Sequence, residues 1–510
     1  MQLGVRVVGR VPARRRAFAL VLGVGLAALP ACGLRVGQRE VRAATQAALG
    51  NGSAGGSGAA GSLGQGVAGA GGGPAAAESA TGSGAGGANA LSQGQGANAG
   101  GAATTVAGAP TASGGETGVL APPAPAGGNG GGTDVGVTAN SITVGNVSDL
   151  GGPVPGLFQG GPYGTQAYFD YINSLGGIYG RKLKLDSADD QLQCNQNEAG
   201  YQNLVGQVFA FVGSWSLDDN CGAQILAQHP TVPAVQQALS IQFTALPNAY
   251  SISPYNAGAP TGYFEYFKQK FPDAIGSVGT LVGNQPAAVQ SWNYYKATAE
   301  SIGYKVIYED DFPPAQSNFT ADVIRMRSQG VKMVFIIAVN APDLAAFSQE
   351  AAQQGWKPEV FVAPIGYFGA YISESGGAQS VEGQYVPVVQ AQFLGEDATA
   401  IPEIGLFDHW IKQDFPSFPV DQFASTSWAQ AALFVQALDM AGPHVTRDGV
   451  LKALAQIHSF NDFGVMAPTD VASKQSSHCY NVLQIHDGKY VKVDDPPTGF
   501  RCDGTFHKVS

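Results

Sequence analysis

Residues 142–147, Ile-Thr-Val-Gly-Asn-Val, form a short apolar run that predicts a β-strand. A helix is predicted from Gly160 to Ser174, ending at Gly176-Gly177, and Lys182-Leu-Lys-Leu185 alternates as a second strand. The same order of strands and helices continues, breaks near residues 254–260, and then restarts. Further strands are predicted at Phe209–Val212, Thr231–Val235, Ile275–Val282, Val306–Glu309, Met333–Ile337 and Val360–Ala363. Two such series predict an α/β fold of two doubly wound, parallel-sheet lobes.

The first part of the chain has a different composition from the rest. Of the 510 residues 71 are Gly, and no aromatic residue occurs between Phe18 and Phe158. Such a stretch buries too little apolar surface to offset the entropy of ordering it. We therefore predict a disordered Gly/Ala/Ser-rich tether over residues 33–135 and a folded body over residues 136–510.

The N-terminus has the pattern of an export signal. Arginines up to Arg16 precede the apolar run Ala17–Leu29, which is short for a membrane span. Leu29-Pro30-Ala31-Cys32 then resembles a bacterial lipoprotein box, which implies a signal peptide over residues 1–32 and lipidation of Cys32. Pro30 departs from the usual box residue, so ordinary cleavage and an uncleaved anchor helix stay as alternatives.

The remaining cysteines are an even number, as in many exported proteins with disulfides. Cys194, Cys221, Cys479 and Cys502 allow three pairings, and the sequence does not choose among them. A Cys479–Cys502 bond would join the open ends of a hairpin that Asp487-Gly488 predicts.

Composition also bears on the class of function. The formal net charge is −11, and the arginines concentrate near the N-terminus, so the acidic body lacks the basic surface of a nucleic-acid binder. The histidines have no metal-ligand spacing, and the body has no G-x-S-x-G elbow or phosphate-binding loop. We therefore expect no nucleic acid, metal or cofactor, and no enzyme.

Several segments together resemble the leucine-binding group of type I periplasmic binding proteins. The residues Ile-Asn-Ser-Leu-Gly-Gly-Ile-Tyr-Gly-Arg at 172–181 are similar to a segment of that family. Asp189-Asp190, Asn318-Phe319-Thr320, Pro342-Asp343 and Glu382-Gly383 follow at fitting intervals. The resemblance implies two lobes that close on one small solute, with lobe 1 at about 137–257 and 386–465 and lobe 2 at about 258–385 and 466–510.

The family also implies a function, namely the substrate-binding protein of a branched-chain amino-acid ABC importer. Its partners would be a small-molecule ligand, the membrane permease and ATPase subunits, and the membrane through the lipid anchor. It would be located at the outer face of the cytoplasmic membrane or in the periplasm. The alternative is a ligand-sensing or surface interaction module with no transport role.

The residues that would hold an amino acid are largely replaced in this chain. Leu217 stands at the position of the family's carboxylate-binding hydroxyl, and Ile365 stands at that of the ammonium-pairing acid. A buried zwitterion needs both charges paired, so we expect a ligand other than a standard branched-chain amino acid. The candidate ligand-binding residues lie in loops after predicted strands and are Phe158, Ser214, Trp215, Ser216, Asp218, Gln236, Gln237, Ser240, Asn284, Gln285, Asn340 and Tyr367.

Overall fold

The computed structural model describes residues 121–316, 318–494 and 496–509. Its strands are β1 (Ser141–Ser148), β2 (Lys182–Asp189), β3 (Phe211–Val212), β4 (Ala234–Val235), β5 (Ala249–Tyr250), β6 (Gly258–Pro260), β7 (Val278–Gly283), β8 (Val306–Phe312), β9 (Met333–Phe335), β10 (Val360–Val362), β11 (Tyr385–Val388), β12 (Asn481–His486), β13 (Lys489–Lys492) and β14 (Phe506–Lys508). Its α-helices are α1 (Gly160–Ser174), α2 (Cys194–Leu204), α3 (Asp219–Gln228), α4 (Ile241–Thr244), α5 (Gly262–Lys270), α6 (Pro286–Ser301), α7 (Thr320–Ser328), α8 (Ala341–Gln353), α9 (Tyr371–Glu374), α10 (Ala378–Val381), α11 (Pro402–Asp414), α12 (Gln422–Ala441) and α13 (Arg447–Leu454).

Two sheets carry the fold and confirm the predicted class. The first has the order β2-β1-β3-β4-β5, and all its strands are parallel. In the second, β8-β7-β9-β10-β11 are parallel in the same relative order, and the antiparallel strands β12 and β13 extend the β11 edge. In each sheet the order reverses beside its first strand, β1 or β7, and ligands of such sheets bind at this switch point.

Helix α12 packs closely on α1 beside the first sheet. The helix is buried on most of its faces, and its Trp428 is fully buried. A glycine at 164 permits the contact, because a Cβ there would collide with the backbone carbonyl of Ala424. The N-cap Asp421 accepts a hydrogen bond from the Ala424 N–H at 2.8 Å, which fixes the start of α12 and the position of the neighbouring Phe423.

The cysteines form two local disulfides, which selects one of the three pairings that the sequence allows. Cys194–Cys221 joins the starts of α2 and α3. Cys479–Cys502 joins the segment before β12 to the segment before β14, outside the predicted hairpin. The hairpin turn has positive φ at Asp487 and Gly488, as the Asp-Gly signal indicates.

The predicted signal peptide with Cys32, and the predicted tether up to residue 120, lie outside the described residues. The next residues, 121–135, run along the surface near β1. The buried Arg181 guanidinium donates to the Gly131 carbonyl at 2.9 Å, and the Tyr179 N–H donates to the Pro122 carbonyl at 2.7 Å. The boundary at residue 135 and the lobe boundaries stay predictions. Within the described ranges, no helix has the length and apolar character needed to cross a membrane.

Candidate functional site

A cavity of about 290 Å³ lies where the switch points of the two sheets face each other. Its first-sheet side comes from loops after β1, β2, β3 and β4, and its second-sheet side from residues around the ends of β7, β9 and β10. The wall is mainly apolar and includes Val154, Leu157, Phe158, Leu192, Trp215, Leu217, Leu239, Tyr255, Tyr263, Ala287, Ile337, Ile365, Val389 and Phe423. Size, position and lining are those of a small-molecule site.

Three aromatic rings form one face of this cavity. The Phe158 and Trp215 ring centroids are 5.4 Å apart, and each ring lies 4.8 Å from that of Phe423. The indole Nε1 of Trp215 donates to the Ser427 hydroxyl at 2.9 Å, so its one donor is already used. This face therefore presents flat apolar surface to a ligand.

Several Ser, Tyr, Asn and Gln side chains interrupt the apolar wall, and none of the described lining residues is Lys, Arg or His. The Gln237 Nε2 donates to the Ser253 carbonyl at 2.7 Å, whereas its buried Oε1 has no hydrogen-bond partner among the described residues. Asp343 is the one acid among the described lining residues, and its backbone N–H donates to Asn340 Oδ1 at 2.8 Å in the cap of α8. Gln237 therefore offers an acceptor, and no lining side chain within the described part of the chain offers a positive charge.

The loop amides that could hold a ligand carboxylate are bound to the protein's own acids. The Leu217 N–H donates to Asp149 Oδ2 at 2.9 Å. The N–H groups of Leu239 and Ser240 donate to Asp219 Oδ2 at 2.7 and 3.3 Å. Both carboxyl groups are buried behind the wall that Leu217 and Leu239 present. The arrangement leaves side-chain carbon, not free N–H groups, facing the cavity at these points.

Burial governs the protonation of these acids. Desolvation, with the neighbouring Asp190, raises the pKa of Asp149 to about 10. Desolvation raises the pKa of Asp219 to about 7, although its hydrogen bonds with Ser240 and Leu239 oppose the shift. Desolvation likewise raises the pKa of Asp343 to about 6. No basic side chain is among the causes of these shifts, which fits a site without positive charge.

The structure brings five of the sequence-predicted residues to the cavity, namely Phe158, Trp215, Gln237, Gln285 and Asn340. The others do not line it. The Ser214 hydroxyl accepts the Val147 N–H, the Ser216 hydroxyl accepts the Asp218 N–H, Gln236 donates to the Tyr201 hydroxyl and Ser240 caps α4. Asp218 is half-buried at the start of α3, Asn284 is exposed, and the buried Tyr367 donates to Glu396 at 2.8 Å. Ligand contact by any of the twelve stays a prediction.

Other lining residues escaped the sequence-based reasoning. Tyr255 lies in the segment between the sheets, and Tyr295 lies on α6. Phe423 lies at the start of α12, and Ser476 and Ser477 lie just before Cys479. None of these residues directly follows a strand that was predicted from the sequence, which explains the omission. The one local signal was Cys479, because a disulfide fixes the backbone next to it.

The described ranges contain no group of three or more His, Cys, Asp or Glu side chains arranged to hold a metal ion. The acids near the cavity instead accept hydrogen bonds from backbone amides, as Asp219 does.

Comparison with known proteins identifies the class. The model of a family described as periplasmic binding protein matches residues 141–489, and the chain belongs to this family. It is thus a solute-binding protein of an exported family. The resemblance to leucine-binding proteins is confirmed, because the Leu/Ile/Val-binding protein homolog 7 of Brucella abortus (strain 2308) is 22% identical over 310 residues, which cover 58% of this chain and 77% of that protein.

Solved structures show the same fold. A fatty acid ABC transporter substrate-binding protein from Thermomonospora curvata superposes with a TM-score of 0.61 and 18% identity, covering 75% of this chain and 97% of that one. A branched chain amino acid ABC transporter protein from Thermus thermophilus with bound valine gives a TM-score of 0.60 and 17% identity, covering 71% and 97%. At these identities the likeness concerns the fold alone.

Proposed function

We propose that this chain is the extracytoplasmic substrate-binding protein of an ABC importer and that it captures a neutral, mainly apolar small molecule between two closing lobes. The observation that carries the proposal is the cavity at the two switch points, whose wall is mostly apolar and whose described lining residues include no Lys, Arg or His. An apolar wall stabilises a ligand in proportion to the apolar area that it removes from water.

An α-amino acid fits this site poorly. Leu217 and Ile365 both line the cavity, and neither offers a partner to an ammonium or a carboxylate. The N–H groups of Leu217 and Leu239 are already bound to Asp149 and Asp219. The carboxylate of a zwitterion would therefore lose its hydration and meet no basic side chain among the described lining residues, which is energetically costly.

The relatives' names suggest two kinds of ligand, branched-chain amino acids and fatty acids. The apolar wall suits the chain of a lipid-like molecule, but a free carboxylate would meet no basic side chain among the described lining residues. The Gln237 Oε1 offers a hydrogen-bond acceptor, which suits a hydroxyl or amide N–H on the ligand. An uncharged molecule with a small donor group satisfies both features.

The mechanism would be lobe closure on the ligand, followed by docking of the closed form on the permease and ATPase subunits. Phe158 and Trp215 would supply the flat apolar face, and Gln237, Gln285 and Asn340 would supply the polar contacts. Lipidation of Cys32 would hold the protein at the outer face of the membrane, with the residues between Cys32 and about residue 120 as the tether.

Two dyes of matched shape test the ligand class on the full chain. N-phenylnaphthylamine is neutral, and anilinonaphthalene sulfonate is its anionic analogue. We expect the neutral dye to bind at least about tenfold more tightly, because a buried unpaired sulfonate is costly. Leucine should displace neither dye. Fluorescence titration measures the affinities, and competition measures the displacement.

Variants locate the dye in the cleft. Ala287→Trp places a large side chain in the cavity wall and should abolish binding of the neutral dye. Gln353→Trp adds the same side chain at an exposed position of α8 and should leave binding unchanged. Equal affinity for both dyes, or displacement by leucine, contradicts the ligand class. If neither dye nor leucine binds, the alternative of a surface interaction module with no transport role is favoured.

A further inference from the structure

We propose that the cleft holds one elongated apolar ligand that extends from the cavity described above, here the first chamber, into a second chamber on the other side of the loop after β1. This inference rests on the proposed function and deepens it, because it specifies the shape of the ligand. The second chamber is a cavity of about 270 Å³, similar in size to the first.

The two chambers share a wall of four apolar side chains. Val154, Leu157, Ile365 and Phe423 line both cavities. Three of them come from the first-sheet side, and Ile365 comes from the short helix Pro364–Gly366 after β10. No polar side chain belongs to this shared wall. A hydrocarbon chain can cross such a boundary without leaving an unpaired polar group behind.

The second chamber combines apolar side chains with a few polar ones, among them Gln159 and Gln422. Its own walls include Phe368, Phe418, Pro419 and Pro342. None of its described lining residues is Lys, Arg or His. Its acids are Glu374, which is exposed, and Asp421, which accepts the Ala424 N–H in the cap of α12. As far as the structure describes the chain, neither chamber offers a cation to an anionic group, and both offer apolar surface.

The loop that separates the chambers turns at glycines. Gly152 has φ +79° and Gly156 has φ +81°, values that favour glycine. The Gly156 N–H donates to the Leu150 carbonyl at 2.7 Å, which closes the loop on itself. The loop thereby presents Val154 and Leu157 to both chambers, and the elongated ligand proposed here would displace these side chains where it crosses.

A series of straight-chain primary alcohols, from butanol to dodecanol, tests the proposal by displacement of N-phenylnaphthylamine from the full chain. Each methylene buried on binding should tighten the affinity by about threefold to fourfold. We expect this gain to continue through chain lengths that exceed the first chamber. The affinity should stop increasing at the alcohol length at which additional methylenes extend beyond the second chamber and stay in water.

Ala341→Trp fills the second chamber only, because Ala341 lines that cavity and not the first. This variant should bind short alcohols as the unchanged protein does and should reach its plateau at a shorter chain length. Gln353→Trp on the same helix is the matched control and should follow the unchanged protein over the whole series.

The outcomes separate the two proposals. If the affinity stops increasing at the same alcohol length in the unchanged protein and in Ala341→Trp, the ligand does not enter the second chamber. This outcome overturns the inference and leaves the proposed function intact. An equal loss for short and long alcohols in Ala341→Trp also overturns it, because the two cavities would then not act as separate parts of one site. If no alcohol of any length displaces the dye, the proposed function itself fails.

Discussion

Single residues set the chemistry of the cleft. Of two adjacent residues in a loop, one faces the cavity and the other bonds to the protein itself. Along the extended loop after β3, Trp215 faces the cavity, whereas Ser214 and Ser216 bind the protein's own polar groups. Gln237 faces the cavity, whereas Gln236 binds Tyr201. This alternation follows from the period of two in extended chains. The sequence located these loops, but it did not indicate which of two neighbours faces inward.

Asp219 gives the first prediction at this scale. Asp219→Ala leaves the N–H groups of Leu239 and Ser240 without their acceptor and should lower the free energy of unfolding by about 1–3 kcal/mol per unsatisfied buried group. Asp219→Asn keeps an acceptor oxygen and should cost less. Urea unfolding measures both. Equal losses in the two variants would show that the hydrogen bonds are not what Asp219 contributes.

Ile365 gives the second prediction at the scale of single residues. Ile365→Asp places a carboxyl group in the wall that both chambers share and should weaken N-phenylnaphthylamine binding at least about tenfold, because the new acid must be desolvated on closure. Ile365→Val keeps an apolar wall and should change the affinity only slightly. Dye titration measures both variants. Tight binding by the aspartate variant would place the dye elsewhere.

Whole elements of the fold were largely predictable, because the strand–helix alternation is local. Helix α1 was predicted at Gly160–Ser174 and is found there, and β1, β2 and β8 begin within a residue of their predicted starts. Helix α12 was not predicted, since it is buried on most faces and has no clear amphipathic period. Its Phe423 therefore escaped prediction as a wall residue.

The contact between α1 and α12 gives the prediction at the scale of elements. Gly164→Ala should push α12 away from α1, lower the free energy of unfolding by about 1–3 kcal/mol and weaken dye binding through Phe423. Gly206→Ala is the matched control, because a Cβ there meets no atom within 4 Å. Thermal unfolding and dye titration measure both. An unchanged Gly164→Ala protein would contradict the packing described.

The whole molecule carries many buried acids within an acidic chain. Burial raises the pKa of Asp219, Glu403 and Asp421 to about 7 and that of Asp343 to about 6. Each value lies above that of the unfolded chain, so the folded state binds more protons. Their stabilising contribution is complete at pH values below the unfolded pKa and is lost as the pH rises through 6 and 7.

We therefore expect the full chain to be more stable at pH 5 than at pH 8. Scanning calorimetry across this range should show a falling Tm. In Asp421→Asn the fall should be smaller, because one of the titrating groups is removed while an acceptor for the Ala424 N–H is kept. A Tm that rises from pH 5 to pH 8 would mean that these acids are charged and paired in the folded protein.

The central claim is that the cleft prefers an uncharged apolar ligand, and competition among decanol, decanoate and leucine tests it most directly. The full chain is equilibrated by dialysis against equal concentrations of the three, and the bound molecules are quantified by mass spectrometry. We predict that decanol is retained at about one molecule per chain, with decanoate at least about tenfold lower and leucine at background. Retention of leucine or decanoate in preference to decanol would contradict the account.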